Sequence, residues 1–166
     1  MATVTPRITP FLWFDSQAEQ AAEFYTSVFG NSRIKQINRY GNAGKDTHGR
    51  EAGTVMTVEF EICGQALVAL NGGPLFKFNE AVSFAVACDT QDEIDYFWSK
   101  LSEGGEESRC GWLKDKYGLS WQVVPSALPE MLRNADAAAR DRVMDALLKM
   151  KKFELRALQR AYEGRA

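Results

Sequence analysis

The chain of 166 residues has a single histidine, three cysteines and no long apolar run. Each scarcity excludes a class of protein. With His48 alone, one subunit cannot build a multi-histidine metal centre, and a Ser-His-Asp triad would have to use a residue in the polar loop Gly44–Arg50. A surface position is the expectation for His48. Cys63, Cys88 and Cys110 are far apart, odd in number and in no C-x-x-C pair, which argues against a disulfide framework and against a cysteine-rich zinc site. No segment approaches the roughly 20 apolar residues that span a bilayer. The opening Met-Ala-Thr-Val-Thr-Pro-Arg has neither the apolar core nor the cleavage site of a signal peptide, so a cytoplasmic location and no membrane partner are expected. A net charge of −2 gives no basic field to recruit nucleic acid.

What the chain does contain is the same opening twice. Ile8 to Asp15 is an apolar strand that runs into Ser16-Gln-Ala-Glu19 and a helix, and Val82 to Asp89 is an apolar strand that runs into Thr90-Gln-Asp-Glu93 and a helix. Both joints read S/T-x-x-E, the pattern in which hydroxyl and carboxylate cap the helix start reciprocally. Ala21, Phe24, Tyr25 and Val28 are echoed by Ile94, Phe97, Trp98 and Leu101, the spacing of one buried helical face. A repeated strand-helix unit constrains the fold more than any single residue does.

After the first helix, Ser32 to Tyr40 reads as a strand and Gly41 to Gly53 as a polar loop. Thr54 to Cys63 alternates, with Met56, Val58, Phe60 and Ile62 on one face, and Ala66 to Leu70 returns as its hairpin partner. Asn71 to Glu80 links the modules and carries two aromatics, Phe76 and Phe78. The second module adds a helix over 90–103, a segment from Glu106 to Trp112, a turn at Lys114–Gly118 and a strand from Leu119 to Val124. Pro125 ends the repeat. A short helix near Pro129, a longer one capped by Asn134-Ala-Asp136, and a last one within Phe153–Tyr162 form the tail. The expected fold is α+β: two β-α-β-β-β modules, about 8–71 and 82–125, forming a curved mixed sheet cup within a domain of residues 1–125, with helices over 126–166.

Two such modules resemble the vicinal oxygen chelate superfamily, which includes glyoxalase I, bleomycin-resistance proteins and extradiol dioxygenases. Pro10–Asp15 with Ala22-Glu-Phe-Tyr25 and Val28-Phe-Gly30, and above all Cys110 to Pro125, are similar to its PhnB-like branch. Arg142 to Met150 is similar to that branch's C-terminal helix. Members often carry the label 3-demethylubiquinone-9 3-methyltransferase domain. The residues do not support methyl transfer from S-adenosylmethionine. None of Gly41/Gly44, Gly49/Gly53, Gly72-Gly73 and Gly104-Gly105 follows a buried strand and opens a helix, and no cofactor is predicted.

The resemblance implies four strand positions that carry metal ligands in the metal-dependent members. Here they fall on Ile8, Val68, Ser83 and Gln122, which make no good ligand set, so no metal is expected. What remains is an apolar pocket with a few polar groups, the general form of a small-molecule site. By alternation Ile8, Pro10 and Leu12 share a face, as do Ala66, Val68 and Leu70. Leu12, Val68, Ser83, Trp112 and Gln122 are the candidate ligand-binding residues. Trp112, Tyr40 and Phe76 are further candidates for the walls. Trp13 and Trp121 are expected under the helices on the other face. Cys110, beside Arg109 and near Lys114, is a weak catalytic candidate. Asp115 with Lys116 reads as a hairpin turn.

Two functions stay open at this point. One is a metal-independent protein that sequesters a small molecule. The other is an enzyme with a metal completed by Glu59, Gln122 or a partner subunit, or with Cys110 as nucleophile. The expected partners are a small-molecule ligand and a second copy of the chain in a homodimer.

Overall fold

The computed structural model describes residues 7–165. They fall into two compact units, one up to Lys77 and one from Phe78 on. The first contains β1 (Phe11–Phe14), α1 (Ala18–Val28), β2 (Arg33–Arg39), a short α2 (Lys45–His48), β3 (Val55–Ile62) and β4 (Gln65–Asn71). The second contains β5 (Ser83–Cys88), α3 (Gln91–Ser102), β6 (Glu106–Glu107), β7 (Trp112–Lys114), β8 (Ser120–Pro125), α4 (Leu128–Asn134), α5 (Ala137–Leu148) and α6 (Leu155–Glu163).

Both units carry a four-stranded mixed sheet of the same topology, β1-β4-β3-β2 and β5-β8-β7-β6. In each, the first strand pairs in parallel with the last, and the helix between the first two strands is the crossover. The repeated opening is therefore a repeated β-α-β-β-β module, and the α+β expectation holds. The polar loop 41–53 differs from expectation: Gly44 and Gly49, at φ 77° and 65°, bracket the turn of helix α2.

Alternation along the strands gives each sheet a covered and an open face. In the first unit Tyr25 of α1 stacks on Phe60 with ring centroids 6.1 Å apart. Leu12, Phe14, Val58, Phe60, Leu67 and Ala69 complete the layer beneath the helix, all at most 5% exposed. Fully burying each large apolar side chain contributes on the order of 1.5–3 kcal/mol, so this layer is what holds α1 to the sheet. In the second unit Trp121, Val123 and Leu113 do the same under α3, against Ile94, Trp98 and Leu101.

The two helix starts are not alike. At Thr90 the capping box forms in full: the Thr90 hydroxyl accepts from Glu93 N, and the Glu93 carboxylate accepts from Thr90 N. At Ser16-Gln-Ala-Glu19 it does not. Helix α1 begins after Gln17 with no cap from its own segment. Instead the Ala18 N–H donates to Asn71 Oδ1 at 2.8 Å, while Asn71 Nδ2 donates to Val55 O. A buried amide at the end of β4 thus satisfies one orphan donor of the helix.

Candidate functional site

The open face of the second sheet is built from small and polar residues. Register places Ser83 beside Ser120 and Lys114 beside Ser120, with Glu106 beside Lys114, so one polar row crosses all four strands. The next row holds Ala85, Gln122 and Trp112. Gln122 Nε2 donates to Ser83 Oγ at 2.9 Å and ties the rows together. The structure thus brings three of the five candidate ligand-binding residues, Ser83, Trp112 and Gln122, onto one face.

Beside this face lies an open cleft of about 500 Å³, lined among others by Trp112, Leu113, Lys114, Ser120, Arg109 and Cys110. Lys114 Nζ pairs with Glu80 at 2.6 Å. That hydrogen bond holds the Lys114 ammonium above its ordinary value and the Glu80 carboxyl below its own. Ser120, which alternation along its strand puts on the face of Gln122, is not among the five candidate ligand-binding residues. It is fully buried, and its hydroxyl has no hydrogen-bond partner among the described residues.

The corner at the cleft's edge has unusual backbone. Cys110 and Gly111 are both left-handed, at φ 55° and 79°. Gly111 is required there: a Cβ would come within 2.6 Å of Val123 O and of the Phe153 ring. The Cys110 thiol donates to Leu147 O at 3.6 Å. Asp115 does more than form a turn. Its buried carboxylate accepts from Tyr117 N, Leu119 N and Trp121 Nε1 at 2.8–3.1 Å, which fixes both the hairpin and the indole beneath the sheet. Trp121 thus lies where expected, on the helix side.

In the first unit the expected faces of β1 are reversed. Leu12 is 5% exposed and sits in the layer under α1, because it pairs with Ala69, whereas Val68 pairs with Phe11 on the open face. Leu12 and Val68 therefore do not share a surface. Trp13 is on the open face rather than under the helix. Its Nε1 donates to Gly73 O at 2.8 Å, and its ring meets Phe76 edge-on at 4.9 Å. Gly72 makes room for that ring, since a Cβ there would lie 2.2 Å from it. The repeat itself carried the needed signal. Aligning Asp15 with Asp89 sets Leu12 opposite Val86, a helix-side residue, and sets Thr9, not Ile8, opposite Ser83.

Tyr40 donates its hydroxyl to Asn71 O at 2.6 Å and packs on His48, so Tyr40 is a brace for the loop. His48 is half-buried rather than fully at the surface. Its Nδ1 accepts from Arg50 N, which leaves Nε2 as the protonated nitrogen facing Ala43 O.

Residues 6–124 match the family model described as 3-demethylubiquinone-9 3-methyltransferase. The chain belongs to this family. Among solved structures, a PhnB protein from Bacillus cereus is 36% identical, with 72% of this chain and 99% of that one covered and a TM-score of 0.64. A protein from Pseudomonas aeruginosa is 19% identical over 72% of this chain and 96% of its own, with a TM-score of 0.57. The fosfomycin resistance protein FosX from Listeria monocytogenes is 14% identical over 78% and 98%, with a TM-score of 0.53, and shares the vicinal oxygen chelate fold. No curated protein matches the chain.

The methyltransferase name of the family does not find its cofactor's cradle here. The turns from β1 into α1 and from β5 into α3 are Asp15-Ser-Gln17 and Asp89-Thr90, with no glycine to bring backbone amides against a cofactor. The superfamily's metal finds no donor set either. Among the described residues no group of three or more His, Cys, Asp or Glu side chains could hold an ion. Ile8 and Val68 have no donor atom, and the Ser83 hydroxyl is engaged by Gln122. Glu59, the carboxylate expected to complete such a set, accepts from Asn38, and its strand neighbour Glu61 is bound to Lys35 at 2.6 Å, which holds it below the usual carboxylate range. No helix among the described residues is long and apolar enough to cross a membrane.

Proposed function

We propose that the chain binds a small, partly apolar molecule in the cleft beside Trp112 and Ser120, without a metal ion. The observation that carries this reading is the Ser120 hydroxyl, buried without a partner against a cleft of about 500 Å³. Buried polar groups are almost always hydrogen-bonded, so an orphan beside a cavity points to a group that arrives with a ligand. Trp112 and Leu113 supply apolar wall, Arg109 and Lys114 supply charged groups, and the Gln122–Ser83 pair lies on the same sheet face next to Trp112. This is the usual make-up of a ligand pocket.

The enzyme reading has one observation behind it, the position of Cys110 on the cleft wall. Its thiol is engaged as a donor to Leu147 O, and the chain's single histidine belongs to the other unit. Binding is therefore the better-supported function. The same reading takes the working assembly as a homodimer, for which the exposed Met144 and Leu148 of α5 offer apolar surface.

The test is a thermal-shift screen of small aromatic and amphipathic compounds, run with and without added nickel, zinc, manganese and iron. A compound that stabilises the chelator-treated protein is expected. Gln122→Ala should then weaken it about 3–10-fold, the range for one hydrogen bond. Stabilisation that appears only with metal would overturn the reading, and unchanged affinity in Gln122→Ala would remove Gln122 from the site.

A further inference from the structure

The segment 147–153 lies beyond the residues matched by the family model, which end at 124. It nevertheless holds the corner on which the cleft is built. Cys110 N–H donates to Met150 O at 2.9 Å and Gly111 N–H donates to Lys151 O at 2.8 Å. The Cys110 thiol reaches Leu147 O. Phe153, 2% exposed, packs so tightly on Gly111 that no side chain fits between them. The segment is in turn fastened to α3. Gln91 uses both ends of its amide, donating to Phe153 O and accepting from Leu155 N, and Lys152 pairs with Asp95 at 2.5 Å.

We infer that residues 147–153 are a positioning clamp that sets the wall of the cleft formed by Ser108, Arg109 and Cys110. Two consecutive left-handed residues are strained when the first is not glycine, and such backbone persists only when its surroundings fix it. Within residues 106–124 the corner's own bonds are Trp112 N to Arg109 O, Ser108 N to Trp112 O and Val123 N to Gly111 O. None of them involves the Cys110 N–H or the Gly111 N–H. Both of those donors are satisfied by the tail. The width of the cleft mouth is thus decided by an added element, and the tail residues that touch the corner determine which ligands fit. That last consequence rests on the proposed binding function; the clamp itself does not.

The experiment uses full-length protein in a Cys63→Ser background, which removes the exposed thiol and leaves Cys110 and Cys88. Cys110 reports the corner, and Cys88, 1% exposed under α3, reports opening of the whole unit. Labelling by an aromatic disulfide reagent is followed for each thiol in Gln91→Ala and in Phe153→Leu. Cys110 labelling is expected to rise about tenfold or more with Cys88 unchanged, and amide exchange at Cys110 and Gly111 should rise with it. Gln159→Ala, on the exposed side of α6, should change neither. Equal acceleration of both thiols, or no acceleration at Cys110, would overturn the clamp. No ligand enters this assay, so a failed ligand screen would sink the proposed function and leave the clamp standing.

Discussion

Replacing Ser120 by alanine should make the free protein more stable and the liganded protein less so. Ser120 is fully buried, and the polar groups beside it are committed elsewhere. The Ser83 hydroxyl takes the Gln122 amide, and the Lys114 ammonium is held by Glu80 at 2.6 Å. A hydroxyl buried without a hydrogen bond costs about 1–3 kcal/mol on the scale of mutational data, whereas removing one oxygen forfeits only slight packing. Ser120→Ala is therefore expected to stabilise the unliganded chain by about 1 kcal/mol, a rise of about 2–4 °C in Tm for a chain of this length. Urea unfolding followed by tryptophan fluorescence suits the measurement, since Trp98, Trp112 and Trp121 all lie in the second unit. The midpoint should rise with the slope unchanged. For any ligand that meets the hydroxyl, affinity should fall about 3–10-fold in the same variant. A lower urea midpoint in Ser120→Ala would refute the reasoning, because it would mean that the hydroxyl already has a partner in the free protein.

Two further outcomes follow from the groups around the site. Asp115→Ala should destabilise the second unit by about 3 kcal/mol or more, because it orphans the buried Trp121 N–H and two turn amides at once, and urea unfolding would show it. Burial, and then the carboxylates Glu93 and Asp89, push the Cys88 thiol from 9.0 up to about 11. The folded state therefore keeps its proton where the unfolded state loses it, and stability is full below about pH 9 and falls as pH rises to about 11. The loss is about 2–3 kcal/mol, and Cys88→Ala should remove that part of the pH profile.

The repeat was legible because it is written in local chemistry: apolar strand, polar turn, helix with one buried stripe. That pattern sufficed for both modules and for placing Ser83 and Gln122 on one face of the second sheet. Two features were not legible, and both depend on partners remote in sequence. Ser16-x-x-Glu19 has the same letters as Thr90-x-x-Glu93, yet its helix is capped by Asn71, 53 residues from the N–H that it accepts. The faces of β1 depend on its register with β4, and a short strand that is apolar at every position, such as Phe-Leu-Trp-Phe, has no polar side to declare which face is covered. The tail's grip on Cys110 was hidden for a related reason. It runs through backbone carbonyls at Met150 and Lys151, which carry no residue-specific signal.

The repeat also bears on why the proposed site falls in the second module. Equivalent register positions on the two open faces are Phe11 and Ala85 on the first strand, and Val68 and Gln122 on the last. Trp13 corresponds to Ala87 by the shared aspartates. In the first module these positions carry large apolar groups, and Trp13 is locked by Phe76 and by its bond to Gly73. In the second they carry methyl groups and an amide, which leave space and keep polar atoms in it. Two modules of one topology thus differ in side-chain volume: one carries bulky groups on its open face, and the other keeps small groups there, next to the proposed binding cleft. Ala85→Phe should then leave the urea midpoint unchanged, because Ala85 is exposed and supports no core contact, and it should weaken a ligand that extends from the proposed cleft to Gln122; unchanged affinity would confine the ligand to the Trp112 and Ser120 side of the face.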